Sequence, residues 1–233
     1  MQNEVGFDYI SDLFLSPDES FNWENKATSL YCIVAGNISS DLRTLYQTLA
    51  HLGKHYQGVF YIPGILEYET TDSISIRTEE IISIVSNIKN VCLLHQHVAI
   101  VDGIAIVGIN GWSNAGDTFT TQRLFETASR HDDFNYLYLA LGKLQRHLDV
   151  KNIIVVSNAV PKNELYFGER PIISDDQVPL CATLANDTEH KVTHWVFGTY
   201  EKGADTMSEN INFINNPYLH QKPYWPKRIT ISI

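Results

Sequence analysis

Basic residues are scarce in this chain of 233 residues: 17 Lys and Arg stand against 27 Asp and Glu, a formal net charge of -10. A surface of that sign repels phosphate backbones, which argues against nucleic acid as the main partner. The densest basic stretch, Pro226-Lys227-Arg228, holds only two charges. Cysteine is scarce too. Cys32, Cys92 and Cys181 are odd in number and far apart, with no Cys-x-x-Cys, so neither a disulfide frame nor a zinc cluster is expected. Cys32 and Cys92 lie in apolar runs and read as reduced core thiols in a cytoplasmic compartment. No apolar run reaches the roughly eighteen residues of a membrane span. The opening MQNEVGFDYI has neither a basic cluster nor an apolar stretch, so no secretory signal is expected. A Gly-rich phosphate loop and a Gly-x-Ser-x-Gly elbow are also lacking.

What is present is material for a core. Hydrophobic residues make up 44% and aromatics 11%, and no Pro- or Gly-rich linker divides the chain, so residues 1–233 read as a single domain. Apolar strands are expected over Phe7–Leu15, Ser29–Val34, Val59–Ile62, Asn152–Val156, His194–Phe197 and Ile229–Ile233. The stretch CLLHQHVAIVDGIAIVG reads as a hairpin whose Asp102-Gly103 suits a type I′ turn. Ser40 is placed to cap a helix carrying Leu42, Leu45, Tyr46, Leu49 and Leu52 on one face. Further helices are expected over Glu79–Lys89 and 119–148. Alternating strands and helices with hairpins later predict an α/β sandwich, with a mixed sheet or two facing sheets.

Five strand ends share one design, an apolar run followed by a small or polar turn: Ile10-Ser11-Asp12, Val34-Ala35-Gly36-Asn37, Ile62-Pro63-Gly64, Val156-Ser157-Asn158 and Phe197-Gly198-Thr199. Turns at one end of a sheet are where α/β proteins build sites. The third is odd, because FYIPGILEYET places Ile65 and Leu66 where a binding loop would carry polar groups.

In the order and spacing of these turns the chain resembles the calcineurin-like metallophosphoesterases. Where that family has Asp-x-His, this chain has Asp12-Leu13-Phe14. Gly-Asp becomes Gly36-Asn37, and Gly-Asn-His-Glu becomes Gly64-Ile65-Leu66-Glu67. The fourth His becomes Asn158, and Gly-His-x-His becomes Gly198-Thr199-Tyr200-Glu201. The hairpin VAIVDGIAIVGINGWS also looks like the family's central one. The resemblance implies a sandwich of two mixed β-sheets flanked by helices. It also implies a degenerate metal site at Asp12, Phe14, Asn37, Ile65, Leu66, Asn158, Thr199 and Glu201, with no catalytic residue and no metal. A two-metal phosphoesterase needs anionic and imidazole ligands holding both cations, and Asn37, Phe14, Ile65 and Thr199 are poor substitutes. Phe14, Ile65 and Leu66 are expected to pack together.

The reading is thus a catalytically inactive module that binds a protein partner or itself, without membrane. Compact ligand-stripped copies of this kind resemble what tailed phages reuse in assembly or in the virion, which would place it in host cytoplasm or virion. Two alternatives stay open. One is a residual phosphodiesterase with a weak Mg²⁺ or Ca²⁺ held by the oxygens of Asp12, Asn37 and Glu201. The other is a binder of a phosphorylated ligand that does not turn it over. The plainer expectation for Asp12 is a solvated strand-end carboxylate or cap. His95 and His97 are expected to share a face of one exposed strand. His190 and His194 are expected at the surface, and Asp132-Asp133 and Asp175-Asp176 on solvated loops or helix starts. The C-terminal NPYLHQKPYWPKRITISI is expected to wrap its own domain as an edge strand.

Overall fold

Strands buried on both faces read as unbroken apolar runs, and the computed structural model shows why such runs recur here. It describes residues 4–71, 73–111, 130–161, 165, 190–199, 202–218 and 223–233. The element order is β1 (Glu4–Ile10), β2 (Tyr31–Ala35), α1 (Leu42–Gly53), β3 (Gly58–Ile62), a 3₁₀ turn (Leu66–Tyr68), α2 (Ile74–Ser86), β4 (Val91–Leu93), β5 (His97–Val101), β6 (Ile104–Ile109), α3 (Arg130–Arg146), β7 (Asn152–Ser157), β8 (Val192–Phe197), β9 (Asp205–Ser208), β10 (Ile211–Ile214) and β11 (Lys227–Ser232). One sheet has the order β11-β1-β2-β3-β4 and the other β5-β6-β7-β8-β10-β9. Both are mixed. β11 runs antiparallel to β1 while β1, β2, β3 and β4 are parallel. β6, β7, β8 and β10 are parallel between antiparallel β5 and β9.

Alternation along the strands separates three layers of core. Phe7, Tyr9, Ile33, Phe60 and Ile62 meet Ile104, Ile106, Ile154 and Val196 between the sheets. Cys32, Val34, Val59 and Tyr61 point the other way, under Leu45, Leu49, Ile81 and Val85 of α1 and α2. Val107, Val155, Trp195 and Phe213 pack under Leu137, Leu141 and Leu144 of α3. The expected sandwich of two mixed sheets flanked by helices is the observed one.

Several boundaries differ from expectation. The first strand stops at Ile10 and not at Leu15, because Asp12 and Phe14 take left-handed backbone, φ 53° and 48°. The Asp102-Gly103 turn does have both residues at positive φ, 49° and 78°, as a type I′ hairpin requires. Gln96, at φ 46°, ends the run between β4 and β5, so His95 and His97 do not lie on one strand. The second helix starts at Ile74, capped by Ser73, not at Glu79. The β9–β10 hairpin was not anticipated: its turn residues Glu209 and Asn210 take φ 52° and 62° with no glycine to mark them. Of the third helical stretch, 119–129 lies outside the described residues, as do Cys181 and Asp175-Asp176. The C-terminal segment wraps its own domain: β11 pairs with β1, Tyr218 and Tyr224 are buried in the helix-covered core, and Trp225 is 55% exposed.

The first helix is capped by Asp41, not Ser40, and Tyr46, expected on its apolar face, is 43% exposed. Asp41 Oδ2 accepts from Thr44 N at 2.7 Å and from Thr44 Oγ1 at 2.9 Å. The Thr44 backbone bond is the main reason the Asp41 carboxyl sits below its ordinary range, with the Thr44 hydroxyl next. Asp41→Ala should therefore cost about 1 kcal/mol at neutral pH. A depressed folded-state value contributes stability above the unfolded value and loses it as pH falls through the folded one. Denaturant titrations should show parent and variant converging as pH drops below about 3.9. A gap that persists undiminished in acid would contradict the cap.

Candidate functional site

Because β1, β2 and β3 are parallel, as are β7 and β8, their C-terminal turns leave the sandwich together. Backbone bonds join them: Asp12 N to Gly36 O at 3.1 Å, Phe14 N to Asn37 O at 2.9 Å and Gly198 N to Asn158 O at 3.1 Å. Asp12, Asn37 and Asn158 are 1%, 2% and 0% exposed, so the solvated carboxylate expected at Asp12 is instead buried.

The buried side chains form one network. Asp12 Oδ1 accepts from Asn37 Nδ2 and from Thr199 N, both at 2.8 Å. Asn37 Nδ2 also reaches Thr199 Oγ1 at 3.3 Å, while Asn37 Oδ1 accepts from Leu66 N at 3.1 Å. Asn158 Oδ1 accepts from Ile65 N at 3.2 Å and Thr199 Oγ1 at 3.0 Å, and its Nδ2 donates to Ala35 O at 3.3 Å. Backbone N–H groups can only donate, so each carboxamide has its oxygen on the Ile65-Leu66 side and its nitrogen on the other. This placement needs unusual backbone. Asn37 and Thr199 are left-handed at φ 57° and 55°; Asn tolerates that region, but for β-branched Thr it is an outlier, costing about 1–3 kcal/mol. It also needs close approach. A Cβ on Gly64 would lie 2.2 Å from Asn37 Oδ1, and one on Gly198 would lie 2.2 Å from Ala35 O.

Glu67 completes the arrangement and received no role from sequence reasoning. It is fully buried. Its Oε1 accepts from Ile38 N at 2.6 Å, and its Oε2 from Gly64 N at 2.7 Å and Asn37 N at 3.2 Å. Burial pushes its carboxyl up, and the backbone N–H groups pull back the other way. The signal was available: Glu67 is the one residue after Gly64 in that turn that matches the resembled motif.

The expected apolar cluster does not form. Phe14 is 39% exposed, and Ile65 and Leu66 are half-buried, with Ile65 leaning on the helix-covered core. The backbone of this turn, not its side chains, engages the polar network, which leaves the side chains at the rim. The three-oxygen cation set is also changed. Asn37 turns its nitrogen toward Asp12 and commits its oxygen to Leu66 N, and Glu201 lies outside the described residues. Among the described residues no group of three or more His, Cys, Asp or Glu could hold a metal ion. Among the described residues, these turns carry the carboxylates Asp12 and Glu67 and no His or Cys.

A second polar group lies at the neighbouring strand ends. Asp133, in the first turn of α3, is 1% exposed and not solvated as expected. It accepts from Gln96 Nε2 and from Gly111 N, both at 3.0 Å, and His95 Nε2 is 3.8 Å away. Burial raises the Asp133 carboxyl and lowers the His95 imidazole. The expected exposed pair is therefore split: His95 is turned in against α3 and His97 is exposed. His194, expected at the surface, is half-buried on β8.

No protein-family model matches the chain, and no curated protein matches it in sequence. Solved structures do match. Phosphopantetheinyl hydrolase from Mycobacterium tuberculosis superposes with a TM-score of 0.67 at 15% identity, over 98% of this chain and 97% of that one. A putative 5'-nucleotidase from Staphylococcus aureus, solved in complex with alpha-ketoglutarate, superposes with a TM-score of 0.57 at 12% identity, over 99% of this chain and 51% of that one. No helix among the described residues is long and apolar enough to cross a membrane. The chain has a metallophosphoesterase-like α/β fold, and its polar network stands at the strand ends that close that fold's two sheets.

Proposed function

We propose that this chain is a metallophosphoesterase-like scaffold that does not hydrolyse phosphate esters and serves as a protein-binding or structural module. One observation carries the reading: the polarity of the Asn37 carboxamide. Its nitrogen faces Asp12 at 2.8 Å and its oxygen accepts from Leu66 N at 3.1 Å, so the end turned toward Asp12 is an N–H₂ donor with no lone pair to give a cation there. Phe14 and Ile65 add no donor at the adjoining turns. The same end of the molecule offers apolar surface. Phe14 is 39% exposed and Trp225 55%. Asn216 ties Trp225 to that end, accepting from Ser11 N at 2.9 Å and donating to Trp225 O at 3.0 Å.

The test is direct. With Mn²⁺ added, the purified protein is expected to leave a phosphomonoester, a phosphodiester, a phosphopantetheine ester and a nucleoside 5'-monophosphate intact at the background rate. Elemental analysis should find no stoichiometric Mn, Fe or Zn. Turnover that disappears in Asp12→Ala, or about two such metals per chain, would overturn the reading.

A further inference from the structure

Asn158 sits between three glycines drawn from three turns. A Cβ built on Gly36 or on Gly64 would lie 2.6 Å from its Nδ2, and one on Gly198 would lie 3.0 Å from it. Only hydrogen at those positions lets the turns close on a carboxamide. Its oxygen takes Ile65 N and Thr199 Oγ1, and its nitrogen reaches Ala35 O. Asn37 repeats the pattern one step away, taking Leu66 N on its oxygen and giving its nitrogen to Asp12 and Thr199. Thr199 lies between the two, with one hydroxyl that donates to Asn158 and accepts from Asn37. The turns after β1, β2, β3 and β8 are thereby held by neutral amide groups, whose N–H₂ ends supply the positive pole opposite Asp12 and the Ala35 carbonyl.

We propose that Asn37 and Asn158 are positioning residues: together with Thr199 they form a metal-independent amide cross-link that sets this face, including the conformation of the Ile65-Leu66 turn. The inference deepens the reading above by assigning the turns' assembly to this chain's own side chains. It does not depend on the absence of hydrolysis.

The two amides make separate predictions, because Ile65 N rests on Asn158 and Leu66 N rests on Asn37. Residue-resolved amide hydrogen exchange on the full chain distinguishes them. In Asn158→Ala, Ile65 should lose protection by about tenfold or more relative to Leu66, and in Asn37→Ala the order should invert. A general loss of stability would move both amides alike. Thr199→Val is the milder variant should an alanine substitution fail to fold. It keeps the branched shape but removes the shared hydroxyl, so Ile65 and Leu66 should both exchange faster. In the parent, exchange at both amides should be the same in EDTA as in Mn²⁺. Faster exchange on chelation, or an Ile65 amide unmoved in Asn158→Ala and Thr199→Val, would overturn the cross-link. Turnover in the hydrolysis assay would instead overturn the inactive scaffold and leave the cross-link standing.

Discussion

Glu67→Ala is expected to be among the most damaging single substitutions in the molecule, lowering stability by about 3 kcal/mol or more. Three backbone donors, Asn37 N, Ile38 N and Gly64 N, end on this one carboxylate. Each buried N–H left without a partner costs about 1–3 kcal/mol, and removal of a buried charge offsets part of the sum. In a chain of this size that loss should lower the melting temperature by about 6–12 °C. Glu67→Gln should fall between parent and Ala. A carboxamide can accept on one side only, so either Ile38 N or the pair Gly64 N and Asn37 N would face an N–H₂ group. A melting curve for Glu67→Ala within a degree or two of the parent would show that water or a backbone shift satisfies these donors, and that Glu67 does not join the turns.

Much of the fold was legible, and the misses have physical reasons. Apolar runs ending in small or polar residues announced the strand ends, because only strands buried on both faces carry such runs. The turns were found by order and spacing, and the structure does bring Asp12, Asn37, Asn158 and Thr199 together. What the sequence could not show is which end of each carboxamide points where. That depends on the Ile65 and Leu66 N–H groups, which approach from another turn of the chain. The burial of Asp133 was missed for a similar reason. Adjacent acids at a helix start are usually solvated, and the partners that draw this one in, Gln96 and Gly111, are distant in sequence. The β9–β10 turn was missed because Glu209-Asn210 lacks the glycine by which left-handed turns are recognised. The apolar residues at the rim misled in the opposite direction. Ile65 and Leu66 suggested a dry cluster, yet they serve the site through their backbone.

Asn37→Asp changes little in shape and should have a large effect. Asn37 Nδ2 lies 2.8 Å from Asp12 Oδ1, and both residues are almost wholly buried. The substitution replaces a donor with a carboxylate oxygen facing another carboxylate. Two such charges about 3 Å apart do not both ionise at ordinary cost, so the pair should hold one proton with its upper titration raised. At neutral pH the variant should lose about 3–5 kcal/mol, the usual penalty for an uncompensated buried charge. The pH dependence has a definite sign. A carboxyl whose folded-state value is raised contributes fully below the unfolded value of about 3.9 and loses that contribution as pH rises through the folded one. The gap between variant and parent should therefore narrow in mild acid, as for Asp41→Ala, but here because the variant regains stability and not because the parent loses it. A divalent cation offers a second route to relief, since anything that binds only the folded state raises stability by mass action. If the remaining donors are too few for a metal, as Phe14, Ile65 and Thr199 imply, millimolar Mn²⁺ should leave the neutral-pH melting temperature of the variant near its metal-free value. Recovery to parental stability with one or two Mn²⁺ bound per chain would mean that a single amide separates this site from a working metal centre, and would reverse the reading of the Asn37 carboxamide on which the proposed function rests.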